Sequence, residues 1–185
     1  MTIADVDLLL VGGGKAGKTL AMERARAGQS VAMVERGMIG GTCINVACIP
    51  TKTVINSGRI LQDVRRAGEF GIAGVGEPRI DIELLRRRKE SVVDAMVQGQ
   101  FAAFTESGMD LILGEAKFVA PRTVQVALND GGVRTLRGAD VVLNLGMSPY
   151  LPDIEGLGSA GAHTSETLLR LDSLPESIIV LGGGY

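Results

Sequence analysis

Apolar residues follow two rhythms along the chain. Val6 to Val11 is a nearly unbroken apolar run, Val-Asp-Leu-Leu-Leu-Val, that enters Gly12-Gly13-Gly14-Lys15-Ala16-Gly17 and then a helix-forming stretch from Lys18 to Ala27, closed by Gly28. Ser30-Val31-Ala32-Met33-Val34-Glu35 follows as a second short apolar strand. Strand, glycine turn, helix and strand in such quick succession predict a βαβ unit with a parallel sheet.

Beyond a second glycine cluster, Gly37 to Gly41, apolar residues at Ile49, Ile60, Leu61 and Val64 run at helical spacing to Ala67, with Gly68 as the stop. A polar, glycine-rich stretch to Pro78 leads into a longer helical pattern through Ile82, Leu85, Val92, Val93, Met96, Phe101 and Phe104, whose Arg86-Arg87-Arg88-Lys89 run fits a solvated face. After Gly108 the period drops toward two. Leu111–Leu113, Thr123–Val126, Val133–Leu136 and Asp140–Leu145 read as short strands of a meander, with a turn at Asn129-Asp130-Gly131-Gly132. Gly146 to Pro152 is a loop, and Ile178-Ile179-Val180-Leu181-Gly182-Gly183-Gly184-Tyr185 repeats the opening strand and glycine turn. The expected architecture is α/β: a Rossmann-like dinucleotide-binding domain with a parallel sheet and a small β-meander, ending at the start of a second Rossmann unit. The expected divisions are 1–150, a connecting segment 151–177, and 178–185 as the opening of a truncated nucleotide-binding domain.

Composition narrows the chemistry. Nineteen Lys and Arg against 21 Asp and Glu leave a formal charge of −2, so no broad basic surface for nucleic acid or membrane is implied. No apolar run approaches the roughly 18 residues that cross a bilayer. Met1-Thr2-Ile3-Ala4-Asp5 lacks the basic start of a signal peptide, and the sequence reads as cytoplasmic. Two Cys and one His fall one ligand short of a four-coordinate structural zinc site, and no metal site is expected. Glycine is the biased residue, 26 of 185, about twice the average usage. Such an excess suggests backbone meeting ligand.

Gly12, Gly14 and Gly17 satisfy G-x-G-x-x-G between strand and helix. The first permits a tight turn, the second lets backbone approach a pyrophosphate, and the third lets helix and strand pack closely. The helix N-terminus offers free N–H groups to phosphates. Glu35 closes the second strand, where a carboxylate accepts hydrogen bonds from ribose hydroxyls and repels a 2′-phosphate. FAD or NAD is favoured over NADP at this site.

Cys43 and Cys48 lie five positions apart at the mouth of a helix. Their sulfurs reach disulfide range only if the loop curls onto the first turn. Pro50 suits that first turn, the helix dipole stabilises a thiolate there, and Lys52 adds positive charge one turn on. One thiol of the pair is therefore expected to be a good nucleophile.

Gly41-Thr42-Cys43-Ile44-Asn45-Val46-Ala47-Cys48-Ile49-Pro50-Thr51-Lys52 resembles the redox-active motif G-T-C-x-N-x-G-C-x-P-[ST]-K of the class I flavoprotein disulfide reductases. That group includes dihydrolipoamide dehydrogenase, glutathione reductase, mercuric reductase and the reactive-chlorine-resistance oxidoreductases. Gly14-Lys15-Ala16-Gly17-Lys18-Thr19-Leu20-Ala21 is most similar to the last of these, and the resemblance continues through Gly146-x-x-Pro149-x-x-Pro152-x-Ile154-x-Gly156. It implies FAD in the first Rossmann unit, with Gly12, Gly14, Lys15, Ala16 and Gly17 in the phosphate loop, Glu35 and Arg36 at the adenosine ribose, and Gly41 and Thr42 near the pyrophosphate. Ala116 falls where the family brings backbone to the adenine, and Gly146 matches the glycine of its A-T-G segment. Cys48 is implied to face the flavin, Cys43 to be the outer, exchanging thiol, and Lys52 to approach the flavin near N5.

Two departures stand out. Ala47 replaces the usual Gly before the second cysteine, which requires that it not sit at positive φ, and Leu145 replaces the Thr of A-T-G. The resemblance also implies an NAD(P)H site and an acid/base His-Glu pair beyond Tyr185, together with a homodimer in the full-length form. His163, the only histidine, reads as a surface residue and not as that base. The expected function is a FAD-dependent oxidoreductase that passes electrons from NAD(P)H through FAD to a Cys43/Cys48 disulfide, and on to a small disulfide, an oxidant or a metal ion. The alternatives are a FAD-binding module without turnover of its own and a plain NAD-binding domain.

Overall fold

The structure, a computed structural model, describes residues 2–183. Five strands and four α-helices follow one another as β1 (Ile3–Val11), α1 (Lys15–Arg26), β2 (Val31–Glu35), α2 (Gly41–Asn45), α3 (Cys48–Arg65), α4 (Ile82–Glu106), β3 (Asp110–Ala120), β4 (Thr123–Leu128) and β5 (Val133–Leu143). The longer helical pattern forms α4, whose N-cap Asp81 accepts a hydrogen bond from the Leu84 N–H at 2.9 Å.

β1 lies between β2 and β5, both parallel to it, with Leu8 to Val11 in register with Val31 to Val34 and Leu8 to Val11 with Asp140 to Leu143. β3 continues the parallel sheet beyond β2, and antiparallel β4 joins β3 to β5. The five strands thereby close into a ring. Two long strands serve both layers: Asp110–Leu113 pairs with β2 while Gly114–Ala120 pairs with β4, and β5 pairs with β4 through Val133–Arg137 before continuing along β1.

The period of two along β1 and β2 sorts their side chains onto two buried faces. Leu8, Leu10, Val31 and Met33 pack with Ala21 of α1 and Phe104 of α4. Leu9, Ala32 and Val34 point the other way, into the ring, against Ile112, Val124, Val126 and Leu136.

Three sequence expectations are corrected. Val133–Leu136 and Asp140–Leu145 are one strand, not two, because Gly138 is a corner within it and not a break. Lys89 is not on a solvated face: it is buried, and its Nζ donates to the Leu169 carbonyl at 2.8 Å. Ile178–Leu181 forms no strand, since no neighbouring strand pairs with it and Ile179 is 93% exposed; Gly184 and Tyr185 of that expected glycine turn lie outside the described residues. The segment 151–177 is irregular apart from single 3-10 turns at Leu157–Ser159 and Leu168–Arg170.

Gly114 sits where β3 passes from β2 to β4 and Gly138 where β5 leaves β4 while staying paired with β1, and there is no room at either. A Cβ at Gly138 would lie 2.4 Å from the Asp140 carbonyl oxygen and 2.7 Å from the Leu9 Cβ. Because backbone and core must both shift, Gly138→Ala is expected to lower stability by about 2 to 3 kcal/mol, read as a lower midpoint in urea denaturation at unchanged slope; an unchanged midpoint would show that the corner relaxes freely.

Candidate functional site

The carboxyl ends of β1 and β2 and the start of α1 frame a cleft of about 420 Å³, at the position where open α/β sheets receive ligands. β1 ends in a tight turn: Gly12, at φ +100°, gives its N–H to the Val34 carbonyl at 2.8 Å, and a Cβ there would meet the Asn144 carbonyl oxygen at 2.2 Å. Only glycine satisfies both demands. Gly14 is the N-cap of α1 with no side-chain cap, and the first turn contains no acidic residue. Its leading N–H groups have no intrahelical acceptor and, with Lys15, give the cleft floor positive potential. Gly17 is buried where a Cβ would press on Leu10 at 2.9 Å, so its role is the close approach of helix to strand.

Glu35 holds this turn together. Its carboxylate is 7% exposed and accepts N–H bonds from Gly13 at 2.7 Å, Gly37 at 2.8 Å and Met38 at 2.9 Å. Three of its roughly four lone-pair positions are thus taken by backbone, which ties the glycine turn to the loop after β2.

That loop brings in the cysteines. Gly41, at φ +72°, starts α2 so close to the first turn that a Cβ there would lie 2.6 Å from the Gly14 Cα. Asn45 donates to the Ile39 and Gly41 carbonyls, both at 2.9 Å, and closes the loop on itself. Cys43 stands in α2, half-buried, and Cys48 is the exposed first residue of α3. Between them Ala47 has φ −133°, so the residue that replaces a glycine of the family motif carries no left-handed strain. Both thiols are free and hydrogen-bonded to each other. That bond, then burial and the charge of Cys48, hold the Cys43 thiol above its ordinary value, while Lys15 and Lys52 oppose the shift.

Of the residues singled out in the sequence, Gly12, Gly14, Lys15, Glu35, Arg36, Gly41, Thr42, Ala116 and Gly146 line one cleft together with Cys43. Ala16, Gly17, Cys48 and Lys52 do not line it, although Lys52 acts on Cys43 through its charge. His163 is exposed in the irregular segment. Among the described residues no group of three or more His, Cys, Asp or Glu is placed to hold a metal ion, and no helix is long and apolar enough to cross a membrane.

Two residues on the cleft wall escaped the sequence reading. Asn144 follows β5, donates from Nδ2 to the Gly12 carbonyl at 3.2 Å, and fills the space that side chains at Gly14 and Gly17 would need. A lone amide closing an apolar strand was its signal. Met38 follows from the loop closure at Glu35 and had none.

The same arrangement recurs in known proteins. Residues 6–185 match the pyridine nucleotide-disulphide oxidoreductase family. The chain is 34% identical over 180 residues to a mercuric reductase of Streptomyces lividans, covering 97% of this chain and 38% of that protein. It is also 34% identical to a dihydrolipoamide dehydrogenase of Chaetomium thermophilum, covering 99% and 36%. Among solved structures, the Cu(II) complex of the HOCl-induced flavoprotein disulfide reductase RclA from Escherichia coli superposes with a TM-score of 0.73 at 31% identity, covering 95% of this chain and 36% of that one. The chain therefore spans under two fifths of the length of these relatives. With its Rossmann-like sheet, uncapped glycine turn and cysteine pair matched over nearly the whole sequence, this chain belongs to the pyridine nucleotide-disulphide oxidoreductase family.

Proposed function

We propose that the chain is the FAD-binding, cysteine-bearing part of an NAD(P)H-dependent reductase. The observation that carries this reading is that one cleft has the glycine turn and Glu35 at one end and Cys43 on its wall. The donor set fits a dinucleotide: an uncapped helix start beside Lys15 suits a diphosphate, and the Glu35 carboxylate leaves room for one further strong donor, as a ribose hydroxyl is. Bound there, FAD supplies two-electron chemistry between a nicotinamide and the cysteine pair.

The residues of this chain then divide the work. Gly12 to Gly17 and Gly41-Thr42 bind the diphosphate, Glu35 and Arg36 the adenosine ribose, and the backbone at Ala116 and Gly146 borders the cleft. In the reduced pair, the Cys43 thiolate attacks one sulfur of a small disulfide, forming a mixed disulfide and releasing the other half as a thiolate that takes up a proton. The Cys48 thiolate next attacks the Cys43 sulfur, which expels the second half and leaves a Cys43–Cys48 disulfide. Lys15 and Lys52 supply positive charge for the Cys43 thiolate. Relatives named for mercuric ion and for dihydrolipoamide support a metal ion or a small disulfide as the acceptor class. The same reading carries NAD(P)H as donor on a further domain, a homodimer as the working form and a cytoplasmic setting.

The test is reductive titration of the full-length protein under argon. A yellow protein that takes up two electrons beyond the two its flavin needs, with two thiols appearing on reduction, is the expected result. A colourless protein that fails to take up FAD overturns the cofactor, and a yellow protein that stops at two electrons leaves a binding module with idle cysteines.

A further inference from the structure

The peptide that joins Gly12 to Gly13 is held at both ends by side chains from different strands. Its N–H donates to a Glu35 carboxylate oxygen at 2.7 Å, and its carbonyl accepts from Asn144 Nδ2 at 3.2 Å. Glu35 ends β2, Asn144 follows β5, and β1, which leads into the peptide, runs between those two strands. The function proposed above uses Glu35 and has no task for Asn144.

A clamp is needed here because glycine stands on both sides of the peptide. No Cβ opposes rotation of its plane, and Gly12 already holds φ +100°. A half-turn would carry the N–H away from Glu35 and exchange the ends of the peptide dipole. Gly12 lines the cleft, whose floor is the uncapped start of α1. A carbonyl oxygen without a donor in that wall weakens the positive potential that suits a diphosphate. The Asn144 amide is itself fixed. A Cβ on Gly14 or on Gly17 would lie 2.8 Å from its Nδ2, so the amide fills the space those two glycines leave. Its own backbone N–H is tied to the Val11 carbonyl at 2.8 Å.

We propose that Asn144 is a positioning residue for the diphosphate: with Glu35 it locks the Gly12–Gly13 peptide in the orientation that receives the anion, so that the turn needs no ordering when a ligand binds. A neutral amide suits the task. It donates to the Gly12 carbonyl, whereas a carboxylate of the same shape would set oxygen against oxygen and bring negative charge to the cleft wall, and a methyl group would leave the carbonyl unengaged.

This inference rests on the cleft taking a dinucleotide by its diphosphate, and its test keeps the two ideas apart. Full-length protein stripped of flavin is titrated with FAD, and ADP and adenosine are compared as competitors for FAD, so that only binding in this cleft is read. Asn144→Ala should weaken FAD and ADP about tenfold, and Asn144→Asp, isosteric but anionic, about a hundredfold. Adenosine, which has the ribose and no phosphate, should compete as it does with the parent. A residue that merely holds the fold together would weaken ADP and adenosine alike; that result, or parental ADP affinity in both variants, overturns the proposal. Where Asn144→Ala does not fold, Asn144→Asp decides alone, and if neither folds Asn144 is a structural residue and the proposal falls. Amide hydrogen exchange in the ligand-free protein is the second readout. The Gly13 N–H should exchange about tenfold faster in the folded variant than in the parent, with the strand amides of β1 and β2 unchanged; unchanged exchange at Gly13 overturns the clamp. A parent that takes up no FAD overturns the dinucleotide reading, while faster Gly13 exchange in its Asn144 variant still supports the clamp.

Discussion

Cys43→Ser and Cys48→Ser are each expected to lower disulfide reduction by the full-length protein about a thousandfold or more, because exchange needs one sulfur to attack and another to resolve. The two losses differ in kind. Cys43→Ser leaves an exposed thiol at the first residue of α3, open to alkylation but unable to form the mixed disulfide productively. Cys48→Ala leaves a half-buried thiol relieved of the hydrogen bond and the charge that raise its pKa. With Lys15 and Lys52 still pulling downward, the midpoint of Cys43 alkylation should fall below that of the reduced parent. The sign follows from the causes: removing an influence that favours the protonated thiol favours the thiolate. Mass-spectrometric mapping of the label over a pH series measures it, and a midpoint that rises in Cys48→Ala would reverse the assignment of the protonated thiol to Cys43.

Glu35→Ala is expected to be nearly as damaging, and for two reasons at once. Three backbone N–H groups, at Gly13, Gly37 and Met38, lose their acceptor, and a hydrogen bond to a charged group contributes roughly 1.5 to 3 kcal/mol. The three share one carboxylate and do not add simply, so about 3 kcal/mol of stability is the expected loss in the flavin-free protein. FAD affinity should fall as well, by about a hundredfold, since the glycine turn and the loop to α2 lose their common tie. Glu35→Gln is the sharper probe. It keeps a carbonyl oxygen for some of the N–H groups but turns an NH₂ toward the others, so it should fall between the parent and alanine in both melting temperature and FAD affinity. A Glu35→Ala protein with parental stability but weak FAD binding would assign the carboxylate to the ligand alone.

The parts of the molecule legible in the sequence are those specified locally. β1, β2 and α4 announce themselves by periodicity, and the glycine turn and the cysteine motif by spacing, because a tight turn or a helix-mouth cysteine pair is the business of a few consecutive residues. What was not legible depends on residues far along the chain. Gly138 looks like a break in any window around it, and becomes a corner only when β1 packs across it. Lys89 lies in an Arg-rich run of solvent-facing appearance, and is buried by the carbonyl of Leu169, 80 positions on. Asn144 acquires a meaning only beside the glycines it fills in behind.

The ring of strands also sets a timetable for folding. β1 leaves the ribosome well before the strand along one of its edges, β5, whose Thr135 stands opposite Ile3. At 5 to 20 residues per second, synthesis of the intervening chain takes on the order of ten seconds. During that interval the apolar Leu8–Leu10 core of β1 has an open edge, and a sheet edge of that kind templates unwanted pairing. The connection that closes the ring also joins the most distant parts of the sequence, so loop-closure entropy falls late and on one step. Nascent chains arrested before Val133 should therefore remain protease-sensitive and hold on to chaperones, and those arrested after β5 has emerged should become resistant together in β1, β2 and β3, since no part of the ring closes without the last strand.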